Sequence, residues 1–130
     1  MDVNRQNKGD ADSTAAGIGK ELLETMDGDR DEARRLADMF FEQAEKQIGD
    51  IEIATEARDR ESLAAAAHKC AGGAAACGLY GLSDSLRTIE NRASEADWSD
   101  LERETQTLPE TLRATREEME LFFAENGDAQ

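Results

Sequence analysis

Ala64-Ala65-Ala66-Ala67-His68-Lys69-Cys70-Ala71-Gly72-Gly73-Ala74-Ala75-Ala76-Cys77-Gly78 holds the only histidine in the chain. Nearly every neighbour is Ala or Gly, so little side-chain bulk stands around the imidazole. Alanine is the strongest helix former, and Leu63 to Ala67 reads as helix. At roughly 100° per residue, Leu63, Ala67, Cys70, Ala74 and Cys77 share one stripe, the spacing of a core-facing helix. His68 then lies about 140° from the stripe and Gly72 about 180° from it. Ala64, Ala65, Ala75 and Ala76 surround them on the outer face, and Lys69 sits on the flank. The ring is expected to face solvent within a shallow plate of methyl groups and bare backbone.

Two adjacent glycines cost a helix interior roughly 2 kcal/mol against alanine, so something must offset them. Gly72 is one turn from His68 on the same face, where a missing side chain lets another backbone come close. Gly73 reads as an accommodation to a neighbouring helix. A lone histidine on an alanine-rich helix is ordinarily just a surface residue. The removal of bulk around this one is what favours a functional reading, and spacing alone leaves both open.

The stretch resembles the signature of histidine-containing phosphotransfer (HPt) domains, roughly A-H-x-L-K-G-S-S-x-x-x-G followed by a helix ending in Leu-Glu. Ala67-His68 matches, Gly72 falls at the glycine one turn later, and Gly78 at the closing glycine. Ile89-Glu90 falls at the Leu-Glu pair, and Phe40-Phe41 resembles the aromatic pair of the preceding helix. The likeness spans roughly Gly28 to Phe123. The chain departs from the pattern at three places. Ala71 stands where the family has a lysine, Cys70 replaces leucine, and Gly73-Ala74 replace small hydroxyl residues. Lys69 is the nearest substitute for the missing charge.

The resemblance implies a phosphorelay protein. His68 would carry a phosphoryl group between aspartates of receiver domains, with Lys69, Gly72, Ala64, Ala65, Ala75 and Ala76 forming the docking and phosphoryl environment. Response-regulator receivers, and a hybrid sensor kinase, are the implied partners. The receiver supplies Mg²⁺, so no cofactor of the chain's own is expected. The chain has no Gly-rich nucleotide loop, so ATP binding and autokinase activity are not expected. It would be a carrier rather than an enzyme. The alternative is a helical adaptor that binds a receiver or other partner without accepting phosphate. Ala71 keeps that reading open.

Composition narrows the remaining classes. The 130 residues suffice for one domain with one core. One proline and abundant Ala, Leu, Glu and Arg argue for helices throughout. A net charge of −15 disfavours nucleic acid and anionic membranes as partners. Apolar runs are far shorter than a membrane span, and no signal-peptide pattern is seen at Met1-Asp2-Val3-Asn4-Arg5, so a cytoplasmic location is expected. Cys70 and Cys77 are about 10 Å apart along one helix, beyond the ~7 Å reach of a disulfide. They read as buried small hydrophobes. His68 and the cysteines point to opposite sides, which argues against a shared metal ion, and a Cys–His nucleophile pair fails likewise.

Along the chain, residues 1–12 read as a disordered tail. Ser13 or Thr14 can cap a short helix with an Ile18, Leu22, Leu23 and Met26 face, weakened by Gly17 and Gly19. Asp29 with Glu32 resembles a capping box opening a helix from about Arg30 to Ala57. Its stripe is Ala33, Leu36, Ala37, Phe40, Phe41, Ala44, Ile48, Ile51 and Ala54. Asp59 can cap the histidine helix, and Gly78 ends it as a C′ glycine. Leu79, Leu82, Leu86, Ile89 and Ala93 define the next helix. Leu101, Thr105, Leu108, Leu112, Thr115, Met119 and Phe122 define the last, read as one helix kinked near Thr105 to Leu108 by Pro109. Glu90 is assigned to packing or solvation. The expected architecture is an all-α, antiparallel up-down four-helix bundle with a short additional N-terminal helix, one unit over residues 13–124, and a polar tail over 125–130. Such a bundle needs no partner to bury its stripes, so a monomer is expected.

Overall fold

The computed structural model describes the backbone of residues 15–128 and the side chains of residues 19–124. The expected leading tail and the caps at Ser13 and Thr14 lie outside the described residues. Six helices follow in order: α1 Ala15–Thr25, α2 Arg30–Glu56, α3 Arg60–Ala76, α4 Tyr80–Arg92, α5 Trp98–Gln106 and α6 Leu108–Asp128. No strand occurs among the described residues.

Helix α1 buries Leu22 and half-buries Leu23, and Met26 in the turn just after it is half-buried as well. It packs chiefly on α6 and less on α2. Gly19 makes that approach possible, because a Cβ there would fall 2.0 Å from a Phe122 ring carbon. The glycine that weakens α1 in isolation is therefore what seats it. The chain then turns through Asp27 and Gly28, both at positive φ, and the Gly28 N–H donates to Leu23 O at 2.8 Å.

Asp29 caps α2 by accepting from the Glu32 N–H at 3.1 Å. The reciprocal half of the expected capping box is replaced. The Glu32 carboxylate pairs with Arg35, and the Asp29 N–H donates to Met26 O. The α2 stripe is buried as expected, except that Leu36 is only half-buried. Thr55 joins it, its hydroxyl satisfied by Ile51 O at 2.7 Å.

Asp59 caps α3 twice over, accepting from the Ser62 N–H and the Ser62 hydroxyl. Those two donors hold the Asp59 carboxyl below the usual aspartate range. Leu63, Ala67, Cys70, Ala74 and Cys77 are all buried, and so is Ala71. Gly78, at φ +76°, ends the helix, with the Leu79 N–H closing on Ala74 O at 2.8 Å.

The next contacts fix how α4 returns along α3. Ser83 Oγ donates to Ala71 O at 3.0 Å. Further from the turn, Glu90 meets His68. Further still, Arg60 Nη1 donates to the carbonyls of Ala93 and Ala96 at 2.9 and 2.8 Å. Pairs grow steadily more distant in sequence, so α3 and α4 form a helical hairpin. Arg60 thus serves the carbonyl of Ala93, the residue that ends α4, and that of Ala96 in the turn beyond it. It also lies 4.6 Å from the centre of the Trp98 ring.

The final helix differs from the expectation. It is two helices, α5 and α6, parted by a turn at Thr107. Pro109 lacks an N–H and its ring clashes with the carbonyl four residues back, so a helix cannot continue through it unbroken. Placed second in α6, it sits where proline is tolerated. Leu101, Thr105, Leu108, Leu112 and Met119 remain buried on both sides of the break. Beyond Met119 the buried aromatic is Phe123, while Phe122 is half-buried against α1. Helix α6 continues to Asp128, past the end expected at residue 124. Helix α2 is the common surface, contacting every other helix except α4 closely.

Candidate functional site

His68 occupies the outer face of α3 with its side chain 64% exposed. That is the face opposite the buried stripe, and α3 is anchored there by Ala67 and Cys70, both fully buried. Its Nδ1 lies 2.9 Å from Glu90 Oε2 on α4. A carboxylate only accepts hydrogen bonds, so the ring presents its N–H to Glu90. In the neutral ring, Nε2 then carries the free lone pair, on the side away from α4. Glu90 in turn has Arg87 beside it, with Nη1 3.8 Å from Oε1.

The rest of the expected face divides. Ala65, Gly72 and Ala76 are exposed, while Ala64 and Ala75 are half-buried towards their neighbours. Gly72 has nothing within 4 Å of where a Cβ would stand, so no contact within the chain requires glycine there. Gly73 is different, because a Cβ would meet the Phe40 ring at 3.1 and 3.2 Å. Lys69 is exposed but turns to the other flank. With Ala65, Gln47, Asp50 and Ile53 it lines a groove of about 380 Å³ between α2 and α3. Ala71 faces α4 and is fully buried.

Glu90, weighed from the sequence towards packing or solvation over chemistry, is the hydrogen-bond partner of the imidazole, a contact the sequence reading did not foresee. Its position was available from register. His68 is ten residues before Gly78 and Glu90 eleven after Leu79, so a hairpin folded at that turn brings them level.

The cysteines take no part. Both are free and buried, and burial pushes each thiol up to about 11. Among the described residues, no group of three or more His, Cys, Asp or Glu is placed to hold a metal ion. None of the helices described is long and apolar enough to cross a membrane.

The sequence profile of the Hpt domain matches residues 35–121, well over half of the chain. The chain belongs to the Hpt domain family. Comparisons with curated proteins and with solved structures give no match. The family is one of phosphocarrier modules, which serve histidine phosphotransfer in phosphorelays and bind receiver domains of response regulators. In this Hpt domain the match takes in the whole of α3 and α4, and so both His68 and Glu90.

Two outcomes follow from this geometry. With the ring neutral at alkaline pH, long-range ¹H–¹⁵N spectra are expected to show His68 protonated at Nδ1, shifting towards the Nε2–H form in Glu90→Ala. Identical spectra would mean that Glu90 does not hold the ring. Gly72→Ala, with open space around it, is expected to raise stability in urea by about 1 kcal/mol. Gly73→Ala, pressed against Phe40, is expected to gain less or to lose. A destabilised Gly72→Ala would show that this face is occupied within the folded chain.

Proposed function

We propose that this Hpt domain relays a phosphoryl group between receiver-domain aspartates through His68. The supporting observation is an exposed imidazole with one nitrogen tied to Glu90 and the other turned outwards. The Nε2 lone pair attacks the phosphorus of an aspartyl phosphate. An N–P bond forms as the P–O bond breaks, and the electron pair leaves with the aspartate carboxylate. No proton need leave, since Nδ1 keeps its proton, hydrogen-bonded to Glu90, whose negative charge offsets the cationic ring. Transfer onward is the same step reversed. Mg²⁺ belongs to the receiver, and the chain supplies no cofactor, no ATP site and no autokinase activity.

In this reading Ala64, Ala65, Gly72, Ala75 and Ala76 form the low surface on which the receiver settles. The α2–α3 groove, with Lys69 and the 67% exposed Ile53, extends it. The working unit is the helical body from α1 to α6, with α2, α3, α4 and the broken α5–α6 pair as an antiparallel four-helix bundle and α1 as the additional short helix. It acts as a monomer in the cytoplasm, where receivers and a hybrid sensor kinase are its partners. Neither nucleic acid nor membrane enters the scheme.

A second reading, an adaptor that binds without accepting phosphate, draws on Ala71, which leaves no cation on α3 beside the ring towards α4. One experiment separates the two. Incubation with a phosphorylated receiver and Mg²⁺ is expected to yield acid-labile, base-stable phosphate on the wild-type chain and none on His68→Gln. Gly72→Arg is expected to stay folded and lose transfer by at least about ten-fold. Binding of the receiver with no label on the wild type would establish the adaptor and refute the relay.

A further inference from the structure

Glu90 holds the imidazole only as firmly as α4 holds Glu90. The residue stands in the last turn of a helix of 13 residues, Tyr80–Arg92. The last carbonyls of a helix have no partners within it, and such an end frays unless something else takes them up. The backbone bond that closes this one, from the Ala93 N–H to Glu90 O, is long at 3.4 Å. No residue between Arg92 and Trp98 takes the left-handed conformation that stops α3 at Gly78. Ile89 and Ala93 bury one side of the turn, while Glu90 lies half-buried at its edge.

The grip on this end comes from α3. Arg60, the first residue of α3, donates from Nη1 to Ala93 O at 2.9 Å and to Ala96 O at 2.8 Å. Its guanidinium lies 4.6 Å from the centre of the Trp98 ring, and Arg58 approaches the same ring at 5.8 Å. A planar cation laid on an aromatic face is already oriented, so little further freedom is lost when it donates. Arg60 and His68 share one helix, eight residues and about 12 Å apart along its axis. Arg60 takes hold of α4 three residues beyond Glu90. The helix that carries the imidazole thus also sets where the carboxylate stands.

We propose that Arg60 is a positioning residue for His68: by pinning the end of α4 to the start of α3, it keeps Glu90 on Nδ1 and leaves Nε2 as the reacting nitrogen. Its consequence for transfer rests on His68 being the phosphoryl carrier, while its hold on the ring does not. At that distance along the helix Arg60 acts through Glu90, and no bond or proton changes at the guanidinium. Once the end of α4 frays, Nδ1–H loses its acceptor. The neutral ring then divides its proton between the two nitrogens, and fewer rings carry a lone pair on Nε2.

Long-range ¹H–¹⁵N spectra at alkaline pH read that division, and with a single histidine in the chain the signal is that of His68. In folded Arg60→Met the ratio of Nδ1–H to Nε2–H ring is expected to fall about three-fold. Arg60→Lys, which keeps a donor for the two carbonyls, is expected to recover most of it. Trp98→Leu, which removes the ring and leaves the donors, is expected to shift it the same way by less. Transfer from a saturating phosphorylated receiver is expected to slow about two-fold in Arg60→Met, with the half-saturating receiver concentration unchanged. Lower stability in urea with an unmoved tautomer ratio would make Arg60 a brace of the fold alone and overturn the assignment. So would a shift that Arg60→Lys does not recover. Should Arg60→Met fail to fold, Trp98→Leu decides in its place, and an unmoved ratio there overturns the assignment. A tautomer shift in Arg60→Met, found with a wild-type chain that takes phosphate from no receiver, would refute the relay and leave the positioning standing.

Discussion

The close seating of α4 on α3 is the constraint on which the site depends. Ala67, Cys70, Ala71 and Ala74 give α3 a buried face almost without side chains. Burying such small groups contributes little each, while a buried leucine or isoleucine is worth about 1.5–3 kcal/mol. The binding energy of the hairpin therefore comes mainly from Leu63 and from Leu82, Leu86 and Ile89 across the seam. The alanines set the distance, not the strength. That short distance brings a carboxylate on α4 to within 2.9 Å of an imidazole on the outer side of α3. The Ser83–Ala71 bond locks the register, so the pair cannot slide without burying an unsatisfied hydroxyl.

The two glycines of α3 show how one helix can serve two surfaces. Gly73 is spoken for by the Phe40 ring, so its lack of a side chain belongs to the α2–α3 packing. Gly72 faces open space and weakens the helix with no return inside the fold. A defect of that kind on the same face as His68 makes sense when a second macromolecule must come near. The face around His68 is otherwise alanine and glycine, with the Glu90–Arg87 pair bordering it on the α4 side and Lys69 on the α2 side.

Much of this was legible in the residues. The stripe from Leu63 to Cys77, the exposure of His68, the caps at Asp29 and Asp59 and the stop at Gly78 all follow from rules local to one helix. What was misread depended on a second helix. Periodicity reports which face of a helix is buried but not what covers it, so tying Glu90 to His68 takes the register of a hairpin folded at Gly78, which counting outward from that turn supplies. Phe122 and Phe123 both suit a 3.6-residue period after Met119. The choice falls to α1, whose Gly19 takes the Phe122 ring. The unbroken phase of the apolar stripe across Pro109 suggested one helix. The stripe persists because α5 and α6 both pack on α2, and that requires no continuous backbone between them.

The central claim is that Glu90 occupies Nδ1 of His68 and leaves Nε2 to react. The position of phosphorus on the ring tests it most directly. The domain should be phosphorylated by a receiver and its phosphohistidine examined by ³¹P and ¹⁵N spectroscopy at alkaline pH. The account predicts phosphorus bonded to Nε2 alone. Phosphorus on Nδ1 would require the Glu90 contact to be broken in the reacting state, and would contradict the claim.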